Sequence, residues 1–139
     1  RAGDGAELAA DVAAVGVLHR EVFGPDSPDL DAQLLTQLSE PDPAVELWLA
    51  EAAGTVVCAG RLDLVRGTRF AGLFGGATRA DQRHRGIYRA LTAARAASAL
   101  AQGASLVYAE CTVLSRPILE RSGLVAVTTT TPWTWRRRG

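Results

Sequence analysis

The chain has 139 residues, 47 % of them hydrophobic, and 15 acids balance 15 arginines, with no lysine, for a formal net charge of zero. That length suits one domain, residues 1–139, with a core large enough to stand without disulfides. No run approaches the roughly 18 uninterrupted apolar residues of a membrane helix and no export signal opens the sequence, so a cytoplasmic protein away from membranes is expected.

Residues 11–23 read as a helix, because Val12, Val15, Leu18, His19 and Val22 recur at three- and four-residue spacing. Gly24-Pro25-Asp26-Ser27-Pro28 stops it. Residues 30–38 form a second, shorter helix with Leu30, Leu34, Leu35 and Leu38 on one face, ended by Pro41-Asp42-Pro43. Three strands follow at 45–52, 55–65 and 70–78, separated by Ala53-Gly54 and by Arg66-Gly67-Thr68-Arg69. Gly72, Gly75 and Gly76 in the third strand predict a bulge or a close backbone approach.

Residues 86–101 give the strongest helical pattern, with Ile87, Leu91, Ala94, Ser98 and Ala101 in one stripe and Arg89 and Arg95 off it. Gly103 closes it. A strand at 105–113 is apolar enough to be buried on both faces. A short helix, 116–121, follows Ser115, and an extended segment, 124–135, ends the chain before a solvated Arg136-Arg137-Arg138 tail. Hairpin-linked strands followed by a strand–helix–strand crossover imply an α/β (α+β) fold, a mixed sheet with helices on both faces.

Cys58 and Cys111 sit far apart in apolar runs and read as core thiols. No Cys/His cluster has metal-ligand spacing, so no metal is expected. With no methionine, the chain is expected to be a processed form or a piece of a longer protein. Arginine as the only basic residue, with abundant alanine, points to a GC-rich, bacterial genome.

The charges are unevenly spread. Residues 1–51 hold eleven acids against Arg1 and Arg20, whereas residues 61–139 hold thirteen arginines against Asp63, Asp81, Glu110 and Glu120. A basic C-terminal half suits a small polyanion, and without a recognition motif nucleic acid is not the expected partner. The stretch Arg83-His84-Arg85-Gly86-Ile87-Tyr88-Arg89 opens the strong helix. The first N–H groups of a helix have no intrahelical partner and carry the positive end of its dipole, which suits a pyrophosphate. Arg83 and Arg85 add charge, His84 a donor, and Gly86 close backbone approach. A solvated basic turn is the alternative.

Arg83-x-x-Gly86-x-Tyr88, after a strand and before Arg89-Ala90-Leu91, resembles the R/Q-x-x-G-x-G/A signature of the GNAT acyltransferase superfamily. Ser115-Arg116-Pro117-Ile118-Leu119-Glu120-Arg121-Ser122-Gly123-Leu124 is similar to that superfamily's last helix, and the element order agrees apart from the usual first strand. The resemblance implies a splayed sheet and acetyl-CoA as co-substrate. Gly76, Ala77 and Thr78 would meet the pantetheine, and Arg83 to Arg89 the pyrophosphate. Ser115 would stand where relatives carry a coenzyme A-contacting Asn, or would simply cap its helix.

Three departures stand out: Tyr88 replaces the second small signature residue, Leu119 a frequent Tyr, and the third strand has no carboxylate. The implied activity is N-acetyl transfer to a small-molecule or peptide amine by direct attack. Glu110, expected to be buried, is the base candidate, and Tyr108 on the same strand face the proton donor. A Glu paired with arginine and a core tyrosine are the alternatives for those two. The acceptor would be bound by the N-terminal helices, their loop over residues 24–31 and the C-terminal Thr/Trp segment, where Trp133 and Trp135 would line the acceptor pocket, the core or a homodimer interface. The rival function is a non-catalytic acyl-CoA-binding or regulatory domain.

Overall fold

A computed structural model describes residues 5–133 and 135. The expected Arg136–Arg138 tail lies outside the described residues. The elements run α1 (Gly5–Phe23), α2 (Asp31–Leu38), β1 (Val45–Ala52), β2 (Thr55–Leu64), β3 (Phe70–Thr78), a single 3-10 turn (Ala80–Gln82), α3 (Ile87–Ala101), β4 (Leu106–Tyr108) and α4 (Arg116–Arg121). The chain forms two compact units, divided between Ala109 and Glu110. α1 starts earlier than periodicity predicts, because Ala6, Glu7, Leu8, Ala9 and Ala10 are strong helix formers without an apolar stripe. Among the described residues no helix is long and apolar enough to cross a membrane.

In the first unit the sheet order is β1-β2-β3-β4. β1–β2 and β2–β3 pair antiparallel, and β3–β4 pair in parallel after the α3 crossover. α1 and α3 cover opposite faces. Val15 and Leu18 of α1 pack on Ala59 and Ala77, while Ala99 of α3 packs on Leu62, Ala71 and Leu73. α2 adds Leu34 against Val12 and Val45. α3 closes with two bonds, Gly103 N to Leu100 O and Ala104 N to Ala99 O, each 3.0 Å, and Gly103 is left-handed at φ 87°. This end puts Ala104 into the same core as Ala99.

Ala71 and Leu73 face α3, yet Ala77, at the same parity along β3, faces α1. A strand alternates with period two, so one extra residue must intervene. It does: Arg61 pairs with Phe74 and Ala59 with Ala77, leaving Gly60 of β2 opposite both Gly75 and Gly76. Gly75 takes φ 59°, in the region glycine occupies at no steric cost. The bulge foreseen from the glycines is thus centred on Gly75 and Gly76.

The sheet is also splayed. β3 and β4 pair only from Phe70↔Leu106 to Gly72↔Tyr108, and β3 continues alone on that edge to Thr78. The long buried strand expected over 105–113 is therefore a three-residue one. The second unit contains α4, which ends in its own glycine cap: Gly123, at φ 95°, donates to Glu120 O, and Leu124 donates to Leu119 O. No strand forms among the described residues of 124–135, where Val125, Val127, Trp133 and Trp135 are exposed. Pro132 and four threonines in succession supply no apolar face to hold such a strand.

Candidate functional site

The first unit gathers three features around the β3 bulge. One is the bare edge of β3. Gly76, Ala77 and Thr78 lie on it, with Ala77 buried at 2 % exposure and the Thr78 hydroxyl 3.1 Å from Cys58 Sγ. Burial raises the Cys58 thiol above its ordinary pKa, against the Thr78 bond and the Arg95 charge, so this thiol stays protonated. Cys111, expected in the core, is exposed.

The second feature is the loop from β3 into α3. Arg83 Nε donates to Thr78 O at 3.2 Å, which ties the loop to the end of the bare edge. Arg85 donates to Gln82 Oε1 at 2.7 Å. His84 at φ 61° and Gly86 at φ 79° are both left-handed and flank Arg85. Such alternation turns successive N–H groups toward one side, making a concavity for an anion. Ala90 N bonds to Gly86 O, so the N–H groups of Ile87, Tyr88 and Arg89 precede the first helical bond. Among the described residues nothing receives the N–H of His84, Arg85 or Gly86. Nothing lies within 4 Å of a Cβ built on Gly86, so the loop is open there. Arg83, His84, Arg85, Gly86 and Arg89 are exposed, and Ile87 is partly buried.

Tyr88 is the second residue of α3, and its ring points away from this concavity. A Cβ on Gly76 would meet Tyr88 Cε2 at 2.7 Å and its hydroxyl at 3.0 Å. Tyr88 therefore lies on the α3 side of the bulge, in space that Gly76 leaves open.

Beside it sits Arg95, only 1 % exposed, although helical periodicity put it off the buried stripe. The buried residues of α3 are Leu91, Thr92, Arg95 and Ala99, a face rotated from the expected one. The rotation has a physical cause. Beside the bulge, Arg95 Nη1 donates to Arg61 O and Phe74 O, at 3.1 and 3.3 Å. Its other bonds reach Leu91 O and Thr92 Oγ1. Burial lowers the Arg95 pKa from its ordinary value, opposed by the Tyr88 hydroxyl and the Cys58 thiol. Gly60 leaves room for the guanidinium, since a Cβ there would lie 2.6 Å from Nη1.

The third feature is a cleft of about 260 Å³ on the opposite face of the bulge, between α1, the α1–α2 loop, α2 and the strands. Its apolar wall includes Val15, Leu34, Leu47 and Phe74. His19 of α1 bonds through Nε2 to Gly75 O at 2.9 Å. A carbonyl only accepts, so Nε2 carries the proton, and Nδ1 of a neutral ring is free to accept one. The Asp31 carboxylate rests against Gly16, where a Cβ would be 2.3 Å from Oδ2. Among the described residues no side chain pairs with that carboxylate. Ser27 Oγ is buried without a hydrogen-bond partner. A buried hydroxyl left in that state costs about 1–3 kcal/mol, a cost that a bound ligand removes.

The expected catalytic pair separates. Tyr108 ends β4 at 39 % exposure, edge-on to Phe74 at 5.6 Å and Phe70 at 6.5 Å. Glu110 lies beyond the end of β4 and is exposed, so the burial invoked to make it a base is absent. β4 stops because its pairing with β3 stops at Tyr108. In the second unit Ser115 precedes α4 without a side-chain cap bond, and its hydroxyl meets Thr112 Oγ1 at 3.2 Å. Leu119 is 4 % exposed. Trp133 and Trp135 are 93 % and 81 % exposed, so neither is in a core. Among the described residues no cluster of metal-ligating side chains occurs.

Sequence reasoning took His19 for one more member of a helical stripe, placed the acceptor at the N-terminal helices and their loop over residues 24–31 without singling out Ser27 or Asp31, and set Arg95 off the stripe. For His19 one signal was present, since a polar residue at an apolar-periodic position calls for a partner, whereas Arg95, off the predicted stripe, gave none.

No protein-family model matches the sequence, and no curated protein does. Solved structures do. A GCN5-related N-acetyltransferase from Ralstonia eutropha superposes with a TM-score of 0.71 at 16 % identity, covering 94 % of each chain. The chain has the GNAT fold. A predicted acetyltransferase from Clostridium acetobutylicum, solved with acetyl-CoA, gives 0.74 at 12 % identity, over 95 % of this chain and 92 % of that one. An aminoglycoside acetyltransferase from an uncultured soil metagenomic sample, in complex with sisomicin, gives 0.74 at 14 %, over 92 % and 90 %. These identities speak to the GNAT fold, and the chemistry must be argued from this chain's own residues.

Proposed function

We propose that the protein is an N-acetyltransferase that moves the acetyl group of acetyl-CoA to an amine by direct attack. The observation that carries this reading is the continuity of the bare β3 edge with the open, left-handed loop at Arg83–Gly86. Free strand N–H and C=O groups suit the amides of a pantetheine arm, and the outward N–H groups with Arg83 suit a pyrophosphate. The fit to coenzyme A is one of backbone, so it tolerates Tyr88, whose ring is turned to Gly76. GNAT-fold structures that hold acetyl-CoA and amine ligands support the same assignment.

The co-substrate brings a thioester carbonyl. Attack by the amine nitrogen forms the C–N bond, breaks the C–S bond and leaves coenzyme A as the thiol once a proton is taken up. An ammonium must first lose a proton, and the cleft offers His19 Nδ1 for it. This replaces Glu110 as base candidate. The second reading, a non-catalytic acyl-CoA-binding domain, is favoured by the exposure of Glu110 and by Leu119, which can donate no proton.

Thermal unfolding with acetyl-CoA, paired with thiol release over an amine panel, tests both. A melting shift with thiol release on at least one amine is expected. A shift without release on any amine supports the binding domain, and no shift at millimolar acetyl-CoA ends both readings.

A further inference from the structure

The cleft carries a charge pattern more specific than "an amine". We infer that it takes a small amine that also bears an anionic group, an amino acid with an aliphatic body, held between Asp31 and Arg20. The inference rests on the acetyltransferase reading for its chemistry, although the ligand class follows from the cleft alone.

The formal charges on the lining are Asp31, Arg20 and Arg61. Arg61 is already engaged: its Nε donates to Asp63 at 2.9 Å, and its guanidinium lies 5.4 Å from the Phe74 ring centroid. Asp31 and Arg20 therefore remain as opposed charges, neither paired among the described residues. A ligand with several ammonium groups would face two guanidiniums and a single carboxylate. One ammonium and one carboxylate match the lining.

Position agrees with charge. The Asp31 carboxylate sits on Gly16 and the His19 ring on Gly75. Gly16 and His19 are three residues apart on α1, hence neighbours on one helix face. An ammonium between them lies beside the His19 ring, and its proton would pass to Nδ1, the ring nitrogen not bonded to Gly75. Arg20, next along the helix and exposed, holds the outer end. Ser27 Oγ, buried and unpartnered, offers a hydroxyl to either polar group. At about 260 Å³ the cleft is below the usual range for drug-sized ligands, and its apolar wall suits a short aliphatic side chain.

Calorimetry on the protein saturated with coenzyme A, titrated with leucine, alanine, isopentylamine and spermidine, tests this. We expect one of the two amino acids to bind at least tenfold tighter than isopentylamine and spermidine. Arg20→Ala should bring amino acid and isopentylamine within about threefold of each other. Asp31→Asn should weaken the amino acid tenfold or more. Gly16→Ala, which keeps every charge but displaces the carboxylate, should weaken it as well. All three variants should keep the acetyl-CoA melting shift. Preference for isopentylamine or spermidine, no binding by any of the four, or unchanged affinity in Asp31→Asn overturns the inference. Amino-acid binding without an acetyl-CoA shift leaves the ligand class standing and removes the transferase reading.

Discussion

The Arg83–Gly86 loop and the α1–β3 cleft lie on the same bulge but are built in different ways. The loop is local. Six consecutive residues, two of them left-handed, aim backbone N–H groups outward, and only Arg83 adds a side chain tied to β3. The cleft is assembled from residues far apart in sequence: His19, Ser27, Asp31, Arg61 and Gly75. A site made of backbone would tolerate side-chain change such as Tyr88, whose ring is turned to Gly76. A site made of side chains is where one acyltransferase comes to differ from another.

The largest expected effect comes from the residue that serves both. Arg95 donates to Arg61 O and Phe74 O beside the bulge. Arg95→Ala removes that buried donor and opens a cavity, and about 3–5 kcal/mol of stability should be lost. Urea unfolding checks this. If Arg95→Ala costs under about 1 kcal/mol, the bulge holds itself, and the loop and cleft are independent.

The next effects belong to the loop. Acetyl-CoA at about a hundred times its dissociation constant should add about 2.7 kcal/mol, because only the folded chain offers the site. Arg83→Ala should remove about 1.5–3 kcal/mol of that affinity, roughly ten- to a hundredfold, at little cost in stability. Gly86→Glu should lose affinity too. It also forces a side chain into φ 79°, a strain of about 1–2 kcal/mol, so its melting temperature must be read beside its affinity. Unchanged affinity in Arg83→Ala would mean that the loop's charge is idle and its amides suffice.

The same contrast sets what was legible in the sequence. β1, β3 and α4 match their predicted ranges, and Gly72, Gly75 and Gly76 predicted a bulge or a close approach in β3, since these are local signals. The loop was legible because helix start, glycine and arginines are adjacent. β4 was overread: an apolar run promises a strand, but its length depends on β3, which leaves it after Gly72. Glu110 fell with that strand. Arg95 was misplaced because its carbonyl partners on β2 and β3 lie 21 to 34 residues away. Asp31 looked like any acid opening a helix, and only the fold seats it on Gly16.

The smallest expected effect isolates that seat. Alanine in place of a mid-helix glycine stabilises a helix by about 0.5–1 kcal/mol. In Gly16→Ala the new Cβ would come within 2.3 Å of Asp31 Oδ2, so the two cannot coexist as they stand. The carboxylate atoms are the tip of a short, partly exposed side chain, and a small χ rotation moves them toward solvent. Little of the helix gain is then spent, and the melting temperature should hold or rise slightly. Amino-acid affinity should fall nonetheless, because the carboxylate has left the cleft. Stability and binding moving in opposite directions is the signature of a glycine kept for a ligand. A cycle with Asp31→Ala sharpens it: once the carboxylate is gone, Gly16→Ala should yield the whole helix gain and no further loss of binding. If Gly16→Ala instead destabilises the protein by more than about 1 kcal/mol and Asp31→Ala does not relieve it, the glycine serves close packing of α1, and Asp31 is only its neighbour.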